Sequence, residues 1–60
     1  MYKLIKPYKV GDIEFSAGTR FAYDGSYLGF HFLSYYDEYV RYSGRLRVEE
    51  NDFQTFFKEV

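Results

Sequence analysis

The absence of cysteine constrains this chain more than any other feature of its sequence. A domain of 60 residues lies near the lower size limit for folding without a disulfide, a metal or a partner, because a short chain buries a small fraction of its surface. The core must therefore come from large apolar side chains. The chain carries eight Tyr and seven Phe, and each aromatic ring buries roughly 150–250 Å². We expect a single domain, residues 1–60, with an aromatic core.

Turn signals divide the chain into segments of the length that is typical of small all-β domains. The strongest is Asp24-Gly25, because a type I′ hairpin turn needs positive φ at both central positions and this dipeptide supplies it. About five or six short strands are therefore predicted, with a hairpin turn at Asp24-Gly25. The complete set of turn signals is Gly11-Asp12, Ala17-Gly18, Asp24-Gly25, Asp37-Glu38 and Ser43-Gly44.

The long strand after that turn, Tyr27 to Tyr36, carries apolar residues on both faces. Alternation places Leu28, Phe30 and Phe32 on one face, and Gly29, His31 and Leu33 on the other. The first set is the predicted core face. The predicted core comprises Leu4, Val10, Ile13, Phe15, Phe21, Leu28, Phe30, Phe32, Val40, Leu46, Val48, Phe53, Phe56 and Phe57.

The hydrophobic period changes near the C-terminal end. Asn51 and Gln54 have the spacing of a capping box, which predicts that a helix begins at Asn51. A helix this short must be held by packing of its apolar face on the sheet. The chain is therefore predicted to be mainly β: a small antiparallel barrel or curled sheet, SH3-like or similar, with a short C-terminal α-helix. The apolar residues at helical spacing are Phe53, Phe56, Phe57 and Val60.

The residue types and their spacing give little support for a catalytic site or a metal site. His31 is the only histidine, and a zinc site normally needs three or four ligands. No serine lies in a Gly-x-Ser-x-Gly elbow, and the glycines match neither a phosphate-binding loop nor a dinucleotide fingerprint. The acidic pairs Asp37-Glu38 and Glu49-Glu50 are explained as turn and helix-start charges. We expect no enzyme activity, no metal and no cofactor.

The segment from Met1 to Lys6 lacks the apolar run of a signal peptide, and no stretch reaches the ~20 apolar residues of a membrane span. We therefore expect a soluble, cytoplasmic protein with no membrane partner. The net charge of −1 argues against a general nucleic-acid coat, because non-specific binding depends on neutralising several phosphates.

The most unusual segment is 35–42, which holds four tyrosines together with charges of both signs. These tyrosines have a plain interpretation as β-formers that pair across a hairpin. Tyr and Arg are also the residues enriched at interface hot spots. The first functional hypothesis is a non-catalytic protein-interaction module, as in small phage or mobile-element proteins that bind and inhibit a host factor. Its partner-binding residues are Tyr35, Tyr36, Asp37, Glu38, Tyr39, Arg41 and Tyr42.

Two alternatives stay open. Exposed rings beside arginines can stack nucleobases, which favours a nucleic-acid-binding small β-barrel. The other alternative is a self-associating accessory or structural subunit, because an unpaired strand edge can recruit a second copy of the chain and such a homodimer would enlarge a small core. The residues of the nucleic-acid alternative are Tyr35, Tyr39, Arg41, Arg45 and Arg47.

Overall fold

The computed structural model describes the backbone of residues 1–37 and 42–60, and the side chains of residues 1–35 and 43–60. Within these ranges the chain forms seven strands and one short helix, α1, which spans Glu50–Phe56. The prediction of a mainly β chain with a short helix near its C-terminal end is therefore confirmed. The strands are β1 (Tyr2–Leu4), β2 (Tyr8–Val10), β3 (Ile13–Phe15), β4 (Arg20–Tyr27), β5 (Phe30–Asp37), β6 (Tyr42–Glu49) and β7 (Phe57–Glu59).

The described strands form two antiparallel sheets. The larger sheet has five strands in the order β6-β5-β4-β1-β7, and β2 pairs with β3 as a separate two-stranded sheet. The two short strands β1 and β7 are joined through pairs such as Leu4 with Phe57. The five-stranded sheet is open among the described residues, so a closed, SH3-like barrel is not observed.

Both α1 and the β2-β3 hairpin pack on one face of the five-stranded sheet, which we call the inner face. Phe53 of α1 lies against Tyr2 of β1, with ring centroids 4.9 Å apart. Phe15 of β3 meets Phe21 of β4 edge-on at 5.6 Å. The opposite side of the sheet, the outer face, carries neither element. The buried core on the inner side comprises Leu4, Phe15, Phe21, Leu33, Leu46, Val48 and Phe57.

The hairpin between β4 and β5 turns at Leu28-Gly29, and the predicted turn at Asp24-Gly25 is wrong. Leu28 and Gly29 both have positive φ, 52° and 82°, as a two-residue type I′ turn requires. The register shifts between Tyr23 and Gly25, so Asp24-Gly25 forms a β-bulge inside β4. The positive φ of Gly25 is compatible with a β-bulge as well as with a hairpin turn. The predicted turn at Ser43-Gly44 also lies inside a strand, β6.

The extra residue of the bulge reverses the predicted faces of β5, because Tyr23 rather than Asp24 pairs with Leu33. Leu33 is fully buried, whereas Leu28 is 78% exposed at the turn. Phe30 and Phe32 are half-buried on the outer face and do not belong to the core cluster. Val10 and Ile13, also predicted as core, are exposed because they pair with each other at the end of the small sheet. The predicted core residue Val40 lies outside the described residues.

The helix begins and ends earlier than predicted. Its N-cap is Glu49, whose side chain makes no capping hydrogen bond. The Glu50 N–H instead donates to the carbonyl of Gly29 at 3.2 Å, so the hairpin turn satisfies the helix start in place of an Asn51 cap. Phe57 is extended and pairs with Leu4 in β7, which replaces the predicted last helical turn. Phe53 and Phe56 still pack against the core, whereas Val60 is exposed.

Candidate functional site

Strand alternation places most of the described cationic side chains on the outer face. Lys3 precedes buried Leu4, and Arg20 precedes buried Phe21, so both cationic side chains point away from the core. The register then brings Lys3 next to Arg20 on one side and next to Lys58 on the other. Five of the eight Lys and Arg residues of the chain share this face. They are Lys3, Arg20, Arg45, Arg47 and Lys58.

Acidic side chains are mostly elsewhere in the described structure. Glu50 and Asp52 belong to α1 on the inner side, and Glu59 pairs with Tyr2, whose ring also faces inward. On the outer face the described acids are Asp24 and Glu49. Asp24 forms a salt bridge with Arg45, with 3.3 Å between Oδ2 and Nε. The outer face is therefore positively charged although the whole chain carries a net charge of −1.

Two phenylalanine rings lie among these cations. The guanidinium of Arg47 sits over the ring of Phe30, 4.7 Å from its centroid, which is a cation–π contact. Phe32 pairs directly with Arg47 on one side and with Gly25 on the other. A side chain at Gly25 would meet no atom within 4 Å of its Cβ, so the neighbouring position beside Phe32 is open. Tyr27, opposite Phe30 in the register, is exposed.

A shallow concavity of about 730 Å³ adjoins this aromatic strip. Its lining residues include Arg20 and Arg45, together with Ala22, Ser34 and Ser43. Guanidinium groups bind phosphate or carboxylate through paired N–H donors, so the two arginines are of the residue type that suits an anionic ligand.

The predicted site residues are divided by the sheet. Arg45 and Arg47 are exposed on the outer face, as the nucleic-acid alternative expected. The ring of Tyr35 packs edge-on against Phe15 and Phe21 of the inner side, at 5.0 and 5.9 Å. Tyr35 is therefore packed against the core, although it also lines the concavity together with Arg20 and Arg45. The remaining predicted positions lie outside the described side chains: Tyr36, Asp37, Glu38, Tyr39, Arg41 and Tyr42.

A polar and aromatic cluster on the inner side was not foreseen. The hydroxyl of Tyr23 and Nδ1 of His31 are 2.8 Å apart, and Nε2 of His31 contacts the carboxylate of Glu50. The His31 ring stacks on Phe53. The pairing of hydroxyl, imidazole and carboxylate ties β4, β5 and α1 together. Alternation places His31 on the same face as Leu33, and that face would have been assigned to the core if the bulge at Asp24-Gly25 had been recognised.

Tyr8 forms a second link between the small sheet and the helix. Its hydroxyl donates to Oδ2 of Asp52 at 3.0 Å, and its ring lies 4.8 Å from that of Phe56. Burial raises the pKa of Tyr8 to about 12, and the hydrogen bond to the Asp52 carboxylate acts in the same direction. This phenol stays protonated and serves as a donor that fastens α1.

No protein-family model, curated protein or solved structure matches this chain. Among the described residues, no three His, Asp or Glu side chains converge in a way that could hold a metal ion. The described part of the chain contains no helix of the length and apolar character needed to cross a bilayer.

Proposed function

We propose that this protein is a small non-catalytic domain that binds nucleic acid through the outer face of its five-stranded sheet. The observation that carries the proposal is the separation of charge between the two faces. Lys3, Arg20, Arg45, Arg47 and Lys58 share the outer face, whereas most described acids lie elsewhere. Contacts from Lys and Arg to phosphates supply a large share of nucleic-acid affinity, even without sequence recognition.

The aromatic residues favour nucleic acid over an acidic protein as the anionic partner. Phe30 and Phe32 lie between the cations with half-exposed rings, and the open position at Gly25 leaves room beside Phe32. Base–aromatic stacking combined with a cationic surface is the usual mode of binding to exposed bases. Of the two acids at the end of β6 and the start of α1, Glu50 contacts His31 on the inner side, and only Glu49 pairs with Phe30 on the outer face.

The test is a salt-dependent binding titration with fluorescently labelled oligonucleotides, measured by anisotropy. The wild-type affinity should fall steeply as salt rises, because bound counterions are released from the phosphates. Replacing Arg20 or Arg47 by Gln should reduce the slope of log K against log salt by about 1, if that arginine neutralises one phosphate. Lys9→Gln is the matched control, since it removes the same charge from exposed β2. No binding at low salt, or an equal effect of Lys9→Gln, would contradict the proposal.

The protein-interaction hypothesis is the second candidate, and one feature of the backbone favours it. The pairing of β5 with β6 continues to Asp37 and Tyr42, beyond Ser34, where the described pairing of β5 with β4 ends. Among the described residues, the pairing of β5 with β6 therefore extends three pairs beyond the end of the pairing of β5 with β4. Such an extension of two strands suits a protein partner, including the host factor of a small inhibitory protein.

An affinity capture from lysate, with and without nuclease, separates the two candidates. A Tyr36→Ala, Tyr39→Ala double variant is the appropriate control, because Tyr35 packs in the core and its loss would perturb folding. A nuclease-resistant protein that the double variant fails to capture would support the protein-interaction candidate. Capture that disappears with nuclease would favour binding by the outer face.

Self-association stays a prediction. Strand β6 is an edge strand of eight residues in the described sheet, and a long edge can pair with a second copy. Sedimentation equilibrium across a wide concentration range tests this, since an edge-paired dimer requires a mass that rises with concentration.

A further inference from the structure

We infer that the outer face takes single-stranded nucleic acid, with unpaired bases stacked on Phe32 and on the Arg47–Phe30 pair. This inference rests on the proposed function and names its substrate class. The lysines and arginines can bind the phosphates of any nucleic acid, single- or double-stranded. The two phenylalanines contribute only if the nucleic acid has bases that are free to stack on them.

A phenylalanine ring can contribute to nucleic-acid binding by stacking on the flat face of a base. A Phe ring has no hydrogen-bonding group, so Phe30 and Phe32 cannot read the donor and acceptor pattern of base edges in a groove. Their contribution comes from stacking, and stacking needs a base whose face is free. In a duplex the faces of the bases are covered by their neighbours, so the rings gain nothing from double-stranded DNA or RNA.

The spacing of the rings also favours a single strand. Phe30 and Phe32 are two residues apart on β5, so their Cα atoms lie about 7 Å apart along the strand. That separation is about twice the ~3.4 Å rise between stacked bases on one strand. Bases that occupy both positions must be drawn apart from each other, which a flexible single strand permits.

The phosphates have a path beside the rings. Ser34 follows Phe32 on the same face, and it pairs with Arg45 across the sheet. The concavity lined by Arg20, Ser34 and Arg45 therefore begins next to the Phe32 position. A base stacked on Phe32 leaves its own or the adjoining phosphate within reach of two guanidinium groups.

The experiment compares three labelled probes of about 12 nucleotides, a length within the range of single-strand binding sites. The probes are single-stranded oligo-dT, a duplex, and an abasic deoxyribose-phosphate chain of the same charge. Wild-type protein should bind the single strand about tenfold more tightly than the abasic chain. Phe32→Leu should remove most of that preference, whereas Phe32→Tyr, which retains the ring, should keep it. Thermal melting of each variant verifies the fold.

The outcomes separate the inference from the function on which it rests. If the abasic chain or the duplex binds as tightly as the single strand, the inference is wrong although nucleic-acid binding stands. The comparison of probes needs only wild-type protein, so it decides the matter even if Phe32→Leu fails to fold. If none of the three probes binds at low salt, both the inference and the proposed function fail.

Discussion

The imidazole of His31 lies flat on the ring of Phe53, with the ring centroids 3.9 Å apart and the planes inclined by 14°. This stack joins β5 to a helix of seven residues. A helix of that length has little intrinsic stability and depends on such contacts. The same imidazole contacts the hydroxyl of Tyr23 and the carboxylate of Glu50. His31 is therefore a central residue in holding α1 on the inner face.

Removing the His31 side chain should destabilise the protein. We expect His31→Ala to lower the free energy of unfolding by about 1–3 kcal/mol, because the stacking and the hydrogen bonds of the imidazole are removed. His31→Phe should restore part of this stability, because it keeps the stacked ring without its polar contacts. Urea denaturation followed by circular dichroism measures both variants. Equal stability of His31→Ala and wild type would show that α1 is held by other contacts.

The hairpin turn offers a stabilising substitution. Leu28 has φ of 52°, a left-handed conformation that is costly for a side chain of this kind and better suited to Asn. Leu28→Asn should raise the free energy of unfolding by about 1 kcal/mol, because Leu28 is exposed and little burial is given up. Leu28→Val, with a β-branched side chain, should lower it. Thermal melts of the two variants should shift in opposite directions.

Leucine truncation tests the revised core. Leu33 is fully buried, so Leu33→Ala should cost about 2–5 kcal/mol, which is comparable with the whole stability of so small a chain. Phe30 is half-buried on the outer face, so Phe30→Ala should cost clearly less. The denaturant midpoints of Leu33→Ala and Phe30→Ala show which face of β5 contributes more to the core. A larger destabilisation by Phe30→Ala would restore the alternation expected from the sequence.

Alkaline pH should weaken the interaction between Tyr8 and Asp52. An unfolded chain releases the phenolic proton near pH 10, whereas the pKa of Tyr8 in the folded protein is about 12. The folded state holds this proton more tightly, so the stabilisation is complete below about pH 10 and is lost as the pH rises through 12. Tyr8→Phe has no proton to release at this site. The stability advantage of wild type over Tyr8→Phe should therefore shrink between about pH 10 and 12, as measured by denaturant titration at each pH.

Asp24 should act as a negative determinant of nucleic-acid binding. Its carboxylate forms an ion pair with Arg45, which lines the concavity, and it competes there with an incoming phosphate. Asp24→Asn should tighten binding of the single-stranded probe several-fold at low salt, with a smaller effect at high salt. Folding stability should change by less than about 1 kcal/mol, since the ion pair is largely exposed. Asp12→Asn makes the same charge change in the turn between β2 and β3, and it should leave the affinity unaltered.

Local patterns in the sequence determined the strand-rich class, the turns at Gly11-Asp12 and Ala17-Gly18, and a short helix near the C-terminal end. They also identified six of the seven described core residues, all but Leu33, because residues such as Phe21 and Val48 lie in strands whose alternation is read correctly without knowing the neighbours. These features depend on two or three adjacent residues. Such short-range preferences are visible in a single sequence.

Tertiary structure decided where the β4-β5 hairpin turns. The Asp24-Gly25 signal is compatible with both a turn and a bulge, and only the pairing of β4 with β1 and β5 selects the bulge. The turn then falls at Leu28, a residue with no turn preference. This shift of four residues keeps the alternation of β5 relative to β4, and it is the extra residue of the bulge that exchanges the faces of β5. A period of two makes every face assignment depend on register.

The charged outer face is likewise a product of the tertiary structure. Lys3, Arg20 and Lys58 are far apart in the sequence and meet only because β1 lies between β4 and β7. The net charge of the whole chain, −1, gives no indication that these cationic side chains lie together. Charge composition is a property of the sequence, whereas the position of each charge relative to the others is set by strand order and register.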